Sequence, residues 1–509
     1  MKIVLISTDE SRSGIGVRTL SSCLTEEGFE SVVVMMPTYG DDYRRVEWED
    51  LARICRDAGL IGISCMTHGV RKAIEVKDFL RGKVVAPIVI GGIHATMDPE
   101  SLTAHFDLIC HGEGEDLVSE LARRTREGRA PGDIPGLWIR EGRSIVRNPA
   151  KELMRDLNDY PLPDYDLAHQ FILDGRRIVP MTQDHIERDF FVILGSRGCP
   201  HQCTYCSNRA IKERFPWRRR VRHYPVDPLL GHLKAAVQAF PQIRSFWIDD
   251  DTFFAKKREE IEEFSRRYAL EVGKPFLVLI SPWTFDEDKL RFLVEAGLCR
   301  LIMGIQSGSE NTTRYTYDRN LTRSRLMEIA RALHRYSEKM VVCYDFIGMN
   351  PFENEADLAD TIRFIRDLPP PFFIYNNNLA FYPGTALYMR AVAEGIPVQD
   401  RVKHSEVELG YRILVREKIA HKLFHLLLLM MRGETRGSRV GLIPRIFLEE
   451  RFLSRYTYLD NRFRRISNAL ASATAWGFLT LNWRRIVKAV FGADRVARLH
   501  ATVLRSIGK

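Results

Sequence analysis

The sequence predicts an α/β protein in three parts: an N-terminal doubly wound parallel sheet, a partial TIM-type barrel of six β/α units, and a mostly helical C-terminal extension. Apolar runs of strand length alternate with helical segments of about ten residues over 1–130 and again over 188–390. This alternation is lost from about residue 391 on. We therefore predict domains at 1–130, 188–390 and 391–509, with a connector at 131–187.

Length, charge and cysteine usage narrow the class of protein. With 509 residues, of which 45% are hydrophobic and a dispersed 28% are charged, the chain can bury sizeable cores and is not disordered. Its nine cysteines, three of them clustered, are typical of a reducing compartment, so we expect a cytoplasmic protein. The net charge is +9, but the segment from Arg401 onward has 22 Lys and Arg residues against 8 Asp and Glu residues. The positive charge therefore belongs to the tail.

The N-terminal part has five candidate strands separated by helices. Ligands of parallel doubly wound sheets bind beyond the carboxyl ends of the strands, and here those ends carry hydroxyl, histidine and glycine-rich segments. Paired glycines let a backbone approach a bulky ligand closely. The predicted strands are 2–7, 31–36, 60–66, 87–90 and 108–110, and the predicted helices are 17–27, 48–58, 70–80 and 115–126. The candidate ligand contacts at the strand ends are Ser64, Thr67, His68, Gly91, Gly92, His94, Gly112 and Glu113.

The connector and the barrel follow. Residues 133–146 read as a short hairpin, and the proline-rich segment 161–166 is unsuited to a helix. Barrel enzymes place their chemistry at the carboxyl ends of the strands, and a polar or glycine-containing segment follows five of the six candidate strands. These strands are 190–194, 245–248, 276–280, 300–303, 341–346 and 372–379, and the segments are 249–251, 281–283, 306–310, 347–351 and 382–385.

Three cysteines follow the first barrel strand. Cys199, Cys203 and Cys206 have a Cys-x3-Cys-x2-Cys spacing. Thiolates are soft ligands that select zinc, copper(I) or iron–sulfur clusters. A structural zinc site would need a fourth ligand, from His201 or a distant cysteine. Alternatively, the three thiolates hold three irons of a 4Fe–4S cluster and leave the fourth iron open to a reacting ligand.

This loop resembles the signature of the radical S-adenosylmethionine (SAM) superfamily, Cys-x3-Cys-x-aromatic-Cys, with Tyr205 in the aromatic position. The resemblance implies that SAM binds the open iron and is reductively cleaved to methionine and a 5′-deoxyadenosyl radical, which abstracts hydrogen from unactivated C–H bonds. It also implies that Asp250 and its neighbours face the SAM amino group or the substrate. Further contacts implied by the resemblance are Gln306, Ser307 and Glu310 near the SAM ribose and carboxylate, and Ile347 and Gly348 on the adenine.

Residues 1–130 resemble the cobalamin-binding, flavodoxin-like domain that precedes many radical SAM barrels. The similarity rests on the Ser-Gly-Ile-Gly turn at 13–16 and on the strand ends that begin at Ser64, Gly91 and Gly112. It implies that the nucleotide tail of cobalamin lies along these strand ends. The Asp-x-His-x-x-Gly motif that supplies a lower-axial histidine is absent, which leaves the lower face of the corrin open. His68 falls where members of this subgroup place a residue under the corrin, although a packed histidine is the alternative; for His94 we expect a structural or tail-binding role.

Together these resemblances identify a cobalamin-dependent radical SAM enzyme of the class-B methyltransferase and anaerobic magnesium-protoporphyrin ester cyclase group. Our leading hypothesis is methyl transfer to an unactivated carbon. Oxidative cyclisation or rearrangement with the same cofactors is the first alternative. A non-catalytic cobalamin-binding sensor or carrier is an alternative from a different class, and the intact cysteine loop weighs against it.

The expected partners are a small-molecule, lipid or natural-product substrate and an external one-electron donor of the flavodoxin or ferredoxin type. No nucleic acid is expected, because the basic tail has no stacking or groove-reading motif. Residues 407–431 read as helical, and 466–483 form an uncharged run flanked by arginine pairs. We expect a buried or interfacial helix there, which either packs against the barrel mouth or makes a peripheral contact with an anionic membrane.

Overall fold

Two sheets organise the part of the chain that the computed structural model describes, which comprises residues 1–37, 43, 46–150, 156–215, 221–398, 411–415 and 457–459. The first sheet has nine strands and the second has eight. The first is built from the N-terminal part and the connector, and the second from the barrel and two strands of the tail.

The centre of the first sheet is parallel and doubly wound, as predicted. Its strands run in the order β5-β4-β3-β1-β2, so the order reverses beside β1. Alternate residues of β1 enter different apolar cores, with Ile3 and Leu5 on one face and Val4 and Ile6 on the other. Both faces are therefore covered. The elements are β1 (Lys2–Ser7), α1 (Ile15–Glu26), β2 (Glu30–Met35), α2 (Glu49–Cys55), β3 (Ala58–Ser64), α3 (Val70–Leu80), β4 (Ile88–Gly91), α4 (Ile93–Met97), β5 (Leu108–Cys110) and α5 (Glu115–Glu127).

The connector completes both edges of this sheet. The predicted hairpin forms β6 (Leu137–Glu141) and β7 (Ser144–Arg147), and β6 pairs antiparallel with β5. A second hairpin, β8 (Gln170–Asp174) and β9 (Arg177–Pro180), joins β2 at the opposite edge. We did not predict the second hairpin, although its two-residue turn begins with glycine in a left-handed conformation, which is a hairpin signal.

Six parallel strands in chain order form the partial barrel, which confirms the predicted (β/α)6 arrangement. Leu277, Ile302 and Cys343 pack together with Trp247, while their sequence neighbours join the large core shared with the helices. The elements are β10 (Phe191–Ile193), β11 (Ser196–Arg197), α6 (Ser207–Arg214), β12 (Arg222–His223), α7 (Val226–Ala239), β13 (Phe246–Ile248), α8 (Arg258–Glu271), β14 (Phe276–Ile280), α9 (Glu287–Glu295), β15 (Leu298–Gln306), α10 (Arg323–His334), β16 (Val341–Gly348), α11 (Glu355–Asp367), β17 (Phe372–Asn378) and α12 (Ala386–Ala393).

The described part of the tail adds two antiparallel strands to the barrel sheet. β18 (Tyr411–Val415) pairs with β17, and β19 (Thr457–Leu459) pairs with β18. The helix predicted from residue 407 is therefore wrong at β18, where aromatic and β-branched residues favour a strand. The remainder of that helix and the uncharged run 466–483 lie outside the described residues. Among the helices that are described, none is both long and apolar enough to cross a membrane.

Candidate active site

The three cysteines lie together on the loop between β11 and α6, at the carboxyl end of the first barrel strand. All three are partly buried and none forms a disulfide. Burial, together with the Asp251 carboxylate and the neighbouring thiols, raises the pKa of Cys199 to about 12 and that of Cys206 to about 11. Thiols in such a setting become thiolates when a metal offsets the charge.

This donor set fits an iron–sulfur cluster. In the described residues, no three His, Cys, Asp or Glu side chains converge as closely as a single ion requires. A 4Fe–4S cluster does not require such convergence, because each cysteine binds a different iron. Three thiols on one loop would hold three irons and leave the fourth for another ligand.

Backbone contacts fix the shape of this cluster loop, residues 199–206. The amide of Thr204 donates to the carbonyl of Tyr317 at 3.2 Å, and its carbonyl accepts from the amide of Leu387 at 2.9 Å. On the other side of the loop, the Nζ of Lys212 donates to the carbonyl of Cys199 at 2.9 Å and to that of His201. The loop is thus held both by residues that follow later barrel strands and by helix α6.

Two aromatic residues and a buried arginine line the same region. The ring of His201 packs on Trp283 at 4.6 Å, and burial together with Arg319 and Lys212 lowers the pKa of His201 to about 4, so its imidazole is neutral. Arg319 lies 5.1 Å from the Trp283 ring and 3.5 Å from the hydroxyl of Tyr205.

Arg319 was missed by the sequence reasoning. Its side chain is only 3% exposed, and its Nη2 donates to the carbonyl of Gly304 at 2.9 Å. Its Nε has no acceptor among the described residues. A buried guanidinium with an unused donor is suited to an anionic ligand. The residue follows the π-helical turn at Thr312–Thr316, which brings it back towards the cluster loop.

The three aspartates that follow β13 differ in how deeply they are buried. Asp250 is fully buried, accepts a hydrogen bond from the amide of Gly195 at 2.8 Å and pairs with Lys256. These partners engage the carboxylate of Asp250 and stabilise the strand end, and its predicted contact with SAM or the substrate stays a prediction. Its neighbours are less enclosed: Asp249 is partly exposed, although burial raises the pKa of its carboxyl to about 7. Asp251 is an exposed residue whose carboxyl lies beside Asn208, Cys199 and Cys206, and partial burial raises its pKa as well.

The predicted SAM contacts after β15 also differ in solvent exposure. Gln306 is partly exposed and has a left-handed backbone with φ of +71°, a strained conformation for this residue. The hydroxyl of Ser307 is buried and lies 3.0 Å from a carboxylate oxygen of Glu353. The carboxylate of Glu310 accepts from the amide of Arg323 at 2.6 Å, at the start of α10. Both side chains thus support the turn through internal hydrogen bonds, and their predicted SAM contacts stay predictions.

Ile347 lies in one apolar cluster with Tyr205 and Tyr317, so the structure brings this predicted adenine contact to the cluster loop. A Cβ atom at Gly348 would lie 2.8 Å from the side-chain amide nitrogen of Asn376, so a larger residue there would require the Asn376 side chain to move. The next residue, Met349, is 52% exposed with a left-handed backbone. This end of β16 thus presents an apolar wall beside the cluster loop.

The N-terminal candidates gather at the carboxyl ends of β3 and β4. The two ring nitrogens of His94 lie 3.3 Å from the hydroxyl of Thr67 and 3.1 Å from that of Ser101, and burial lowers the pKa of His94. Both nitrogens are thus in use, as a structural turn residue requires. A Cβ atom at Gly92 would lie 2.6 Å from the carbonyl oxygen of Cys65, so the neighbouring backbone requires a glycine here.

Other N-terminal candidates remain at the surface or pair with the barrel. Ser64, His68 and Gly91 are partly exposed, and Met66 beside them is 46% exposed. Gly112 adopts a left-handed conformation with φ of +124°. Glu113, for which a cobalamin contact stays a prediction, pairs with Arg197 and Arg222 of the barrel domain, because these two arginines face it across the domain interface.

The structure combines a three-cysteine loop at the mouth of a partial (β/α)6 barrel with a doubly wound sheet of the ligand-binding type. This combination is typical of metal-dependent enzymes with two cofactor-binding domains. The family model of the radical SAM superfamily matches residues 193–365, and that of the B12-binding domain matches residues 1–122. The chain belongs to the B12-binding-domain-containing radical SAM enzymes, whose cofactors are a 4Fe–4S cluster, SAM and cobalamin. It is therefore an enzyme rather than a non-catalytic sensor.

Known proteins agree with this assignment. The chain is 24% identical, over 69% of its length and 73% of the relative's, to an uncharacterised methyltransferase of Pyrococcus horikoshii. It is 28% identical, over 51% of its length and 50% of the relative's, to the anaerobic magnesium-protoporphyrin IX monomethyl ester cyclase of a Synechocystis species. Its fold is similar to that of the radical SAM methyltransferase TsrM from Kitasatospora setae, solved with cobalamin and a [4Fe-4S] cluster, with a TM-score of 0.61 at 18% identity over 78% of this chain and 76% of that one.

Proposed function

We propose that this enzyme transfers a methyl group to an unactivated carbon of a small-molecule substrate held between the cluster loop and the B12-binding domain. The observation that carries the proposal is the direct junction of the three-cysteine loop with that domain, through Arg197 on one side of the loop and α6 on the other. When bound, the cluster and SAM supply a carbon-centred radical and cobalamin supplies the methyl group.

The residues of the barrel have separate tasks in this proposal. Cys199, Cys203 and Cys206 hold three irons of the cluster. Arg319, whose Nε has no acceptor in the part of the chain that the structure describes, offers a donor to the SAM carboxylate. The carboxyl group of Asp251, an exposed residue, offers an acceptor to the SAM amino group. Opposite charges attract, so these two side chains would orient SAM on the cluster.

Apolar residues beside the loop exclude water. Tyr205 and Ile347 belong to one apolar cluster next to the cysteines, and Met349, two residues after Ile347, is exposed. We propose that the adenine lies against Ile347 and the backbone of Gly348, with Gln306 at the ribose. A shielded site of this kind protects a reactive radical from solvent.

For the N-terminal domain, residues 1–130, we propose that cobalamin lies on the exposed carboxyl ends of β3 and β4. Ser64, Thr67, Gly91 and Gly112 would contact the nucleotide tail, and His68 with the neighbouring Met66 would lie beneath the corrin. The barrel, 188–390, and the tail, 391–509, complete the proposed division of the chain. We further propose a flavodoxin- or ferredoxin-type donor, a cytoplasmic location and a peripheral contact of the basic tail with anionic lipid.

Anaerobic reconstitution tests the enzyme assignment. Wild-type protein reconstituted with iron, sulfide and hydroxocobalamin should convert SAM and a strong reductant to 5′-deoxyadenosine, and the triple change of Cys199, Cys203 and Cys206 to alanine should abolish this. Cys55→Ala, a buried thiol in the N-terminal domain, is the matched control and should retain the activity. Undiminished 5′-deoxyadenosine from the triple variant would overturn the proposed site.

The second candidate function is oxidative cyclisation, which the similarity to the Synechocystis cyclase favours. The two reactions differ in what becomes of SAM. Methyl transfer yields S-adenosylhomocysteine as well as 5′-deoxyadenosine, whereas cyclisation yields no S-adenosylhomocysteine. Quantifying both products with candidate substrates would therefore distinguish them.

A further inference from the structure

Four charged side chains join the N-terminal domain to the segment that leads into the cluster loop. Glu113 and Glu115 lie at the start of α5, and Arg197 and Arg222 lie on the two-stranded ribbon of β11 and β12. The Arg197 Nη1 is 3.2 Å from the Glu113 carboxylate and its Nη2 is 2.6 Å from that of Glu115. Arg222 also pairs with Glu113. We call these four residues the clasp.

The clasp is largely buried. Glu115 is 6% exposed, and the most accessible member, Arg197, has a side chain that is 24% exposed. Burial alone would raise the pKa of Glu115, but the Arg197 guanidinium holds it below its usual value. Charges in this setting are tolerated when they are paired, and removing one partner leaves the other uncompensated. The two domains therefore depend on each other at this point.

The ribbon itself explains why the glutamates are needed. Arg197 and Arg222 are directly opposite each other in the antiparallel pair of β11 and β12. Like charges in that position repel and destabilise a strand pair. The two carboxylates of the N-terminal domain offset this repulsion. The ribbon is thus stable in this register when the N-terminal domain is docked.

The position of the clasp links it to the cluster. Cys199 is two residues after Arg197. On the other side of the loop, α6 packs on α4, where Met97 meets Ala210, Ile211 and Phe215. The cluster loop is therefore held by the N-terminal domain both before its first cysteine and after its last.

We propose that the clasp sets the separation and orientation of the B12-binding domain relative to the cluster loop. Arg197 would then be a positioning residue for transfer of the SAM methyl group to reduced cobalamin, with S-adenosylhomocysteine as the leaving group, rather than for reductive cleavage of SAM. This inference rests on the proposed function, because methyl transfer requires both cofactor platforms whereas SAM cleavage requires the barrel alone. A displacement of about 1 Å between reacting groups costs on the order of 100-fold in rate, so a loosened clasp should uncouple the two reactions.

The test uses the full chain reconstituted with its cluster and hydroxocobalamin, with SAM and titanium(III) citrate as the reactants. Arg197→Met removes both ion pairs of that residue, and Glu115→Gln removes one charge from the other domain with little change of shape. Arg140→Met is the matched control, because Arg140, on connector strand β6 of the first sheet, pairs with Asp107 at an exposed site. Two quantities are measured: S-adenosylhomocysteine formed per 5′-deoxyadenosine, and the distance distribution between the cob(II)alamin and reduced-cluster spins by pulsed electron paramagnetic resonance.

We expect both clasp variants to form 5′-deoxyadenosine within about twofold of wild type, while the ratio of S-adenosylhomocysteine to 5′-deoxyadenosine falls at least ~10-fold. Their distance distributions should broaden, and Arg140→Met should match wild type in every measurement. Unchanged ratios and distributions in both clasp variants would overturn the inference. If Arg197→Met loses iron, Glu115→Gln decides, since it leaves the segment next to Cys199 unaltered.

Failure of the proposed function has a different signature. A wild-type protein that cleaves SAM but forms no S-adenosylhomocysteine would refute methyl transfer, and the spin distances would still decide whether the clasp positions the domains. Should the protein take up no cobalamin, hydrogen exchange of residues 196–206 would decide instead. Faster exchange in Glu115→Gln than in Arg140→Met supports the clasp, and equal exchange rejects it.

Discussion

Lys212 should stabilise the cluster loop and raise the reduction potential of the cluster. Its side chain is only 4% exposed, and its ammonium group donates to the carbonyls of Cys199 and His201. In Lys212→Met these two acceptors lose their donor. A buried polar group left unpaired costs about 1–3 kcal/mol, so the loop should lose several kcal/mol of local stability.

The electrostatic effect can be estimated separately. Two unit charges about 8 Å apart at an effective dielectric constant of about 20 interact by about 2 kcal/mol, and we take this as the scale of the effect for an ammonium group that contacts the carbonyl of Cys199. Because 100 mV corresponds to about 2.3 kcal/mol for one electron, removing the charge should lower the midpoint potential by on the order of 50–100 mV. The sign follows from charge alone, since the reduced cluster is the more negative state.

An anaerobic redox titration followed by electron paramagnetic resonance measures the potential, and iron analysis after gel filtration measures retention of the cluster. Lys234→Met is the control, because Lys234 is half-exposed and pairs with Glu271 between α7 and α8. We expect Lys212→Met to have a lower potential and to lose iron faster than this control. A potential within about 10 mV of wild type, with normal iron content, would refute the reasoning.

Three further predictions concern single residues. Burial raises the pKa of Asp249 to about 7, so the folded protein keeps a proton there that the unfolded chain releases above about pH 4. The contribution of this group to the free energy of unfolding therefore falls as the pH rises from about 4 to about 7. Asp249→Asn should reduce that fall in thermal melts. Gly92→Ala should lower the melting temperature more than Gly82→Ala, since both have positive φ but only Gly92 would meet a backbone carbonyl. Arg319→Met should weaken SAM binding at least ~10-fold in equilibrium dialysis, whereas Arg314→Met, an exposed neighbour, should not.

The elements of this fold were predictable because their signals are local. Short apolar runs and glycine turns locate the parallel strands to within one or two residues in most cases, and the cysteine spacing locates the metal-binding loop. The orientation of single side chains was less accessible. In the run of three aspartates after β13, the middle one is buried and its neighbours are more exposed. This difference depends on which face of the strand meets Gly195.

Residues that act across the fold were missed for a related reason. Arg319 is far in sequence from Tyr205 and reaches it only through a π-helical turn. Glu113 has the sequence context of a ligand-binding turn, and only its pairing with Arg197 and Arg222 reveals a structural task. Such pairings depend on how two domains dock, and residue spacing within either domain carries no information about that.

Helix α6 contacts both the cluster loop and the N-terminal domain. One side of it sends Lys212 to the backbone of the cluster loop, and another packs Ala210 and Ile211 on Met97 of the N-terminal domain. At its end, Arg214 donates to the carbonyl of Thr96 at 3.3 Å. A movement of the N-terminal domain would therefore be transmitted through this helix to the peptide groups around Cys199. The clasp holds the same loop at its other end. The geometry of the cysteines and the position of the B12-binding domain therefore depend on each other.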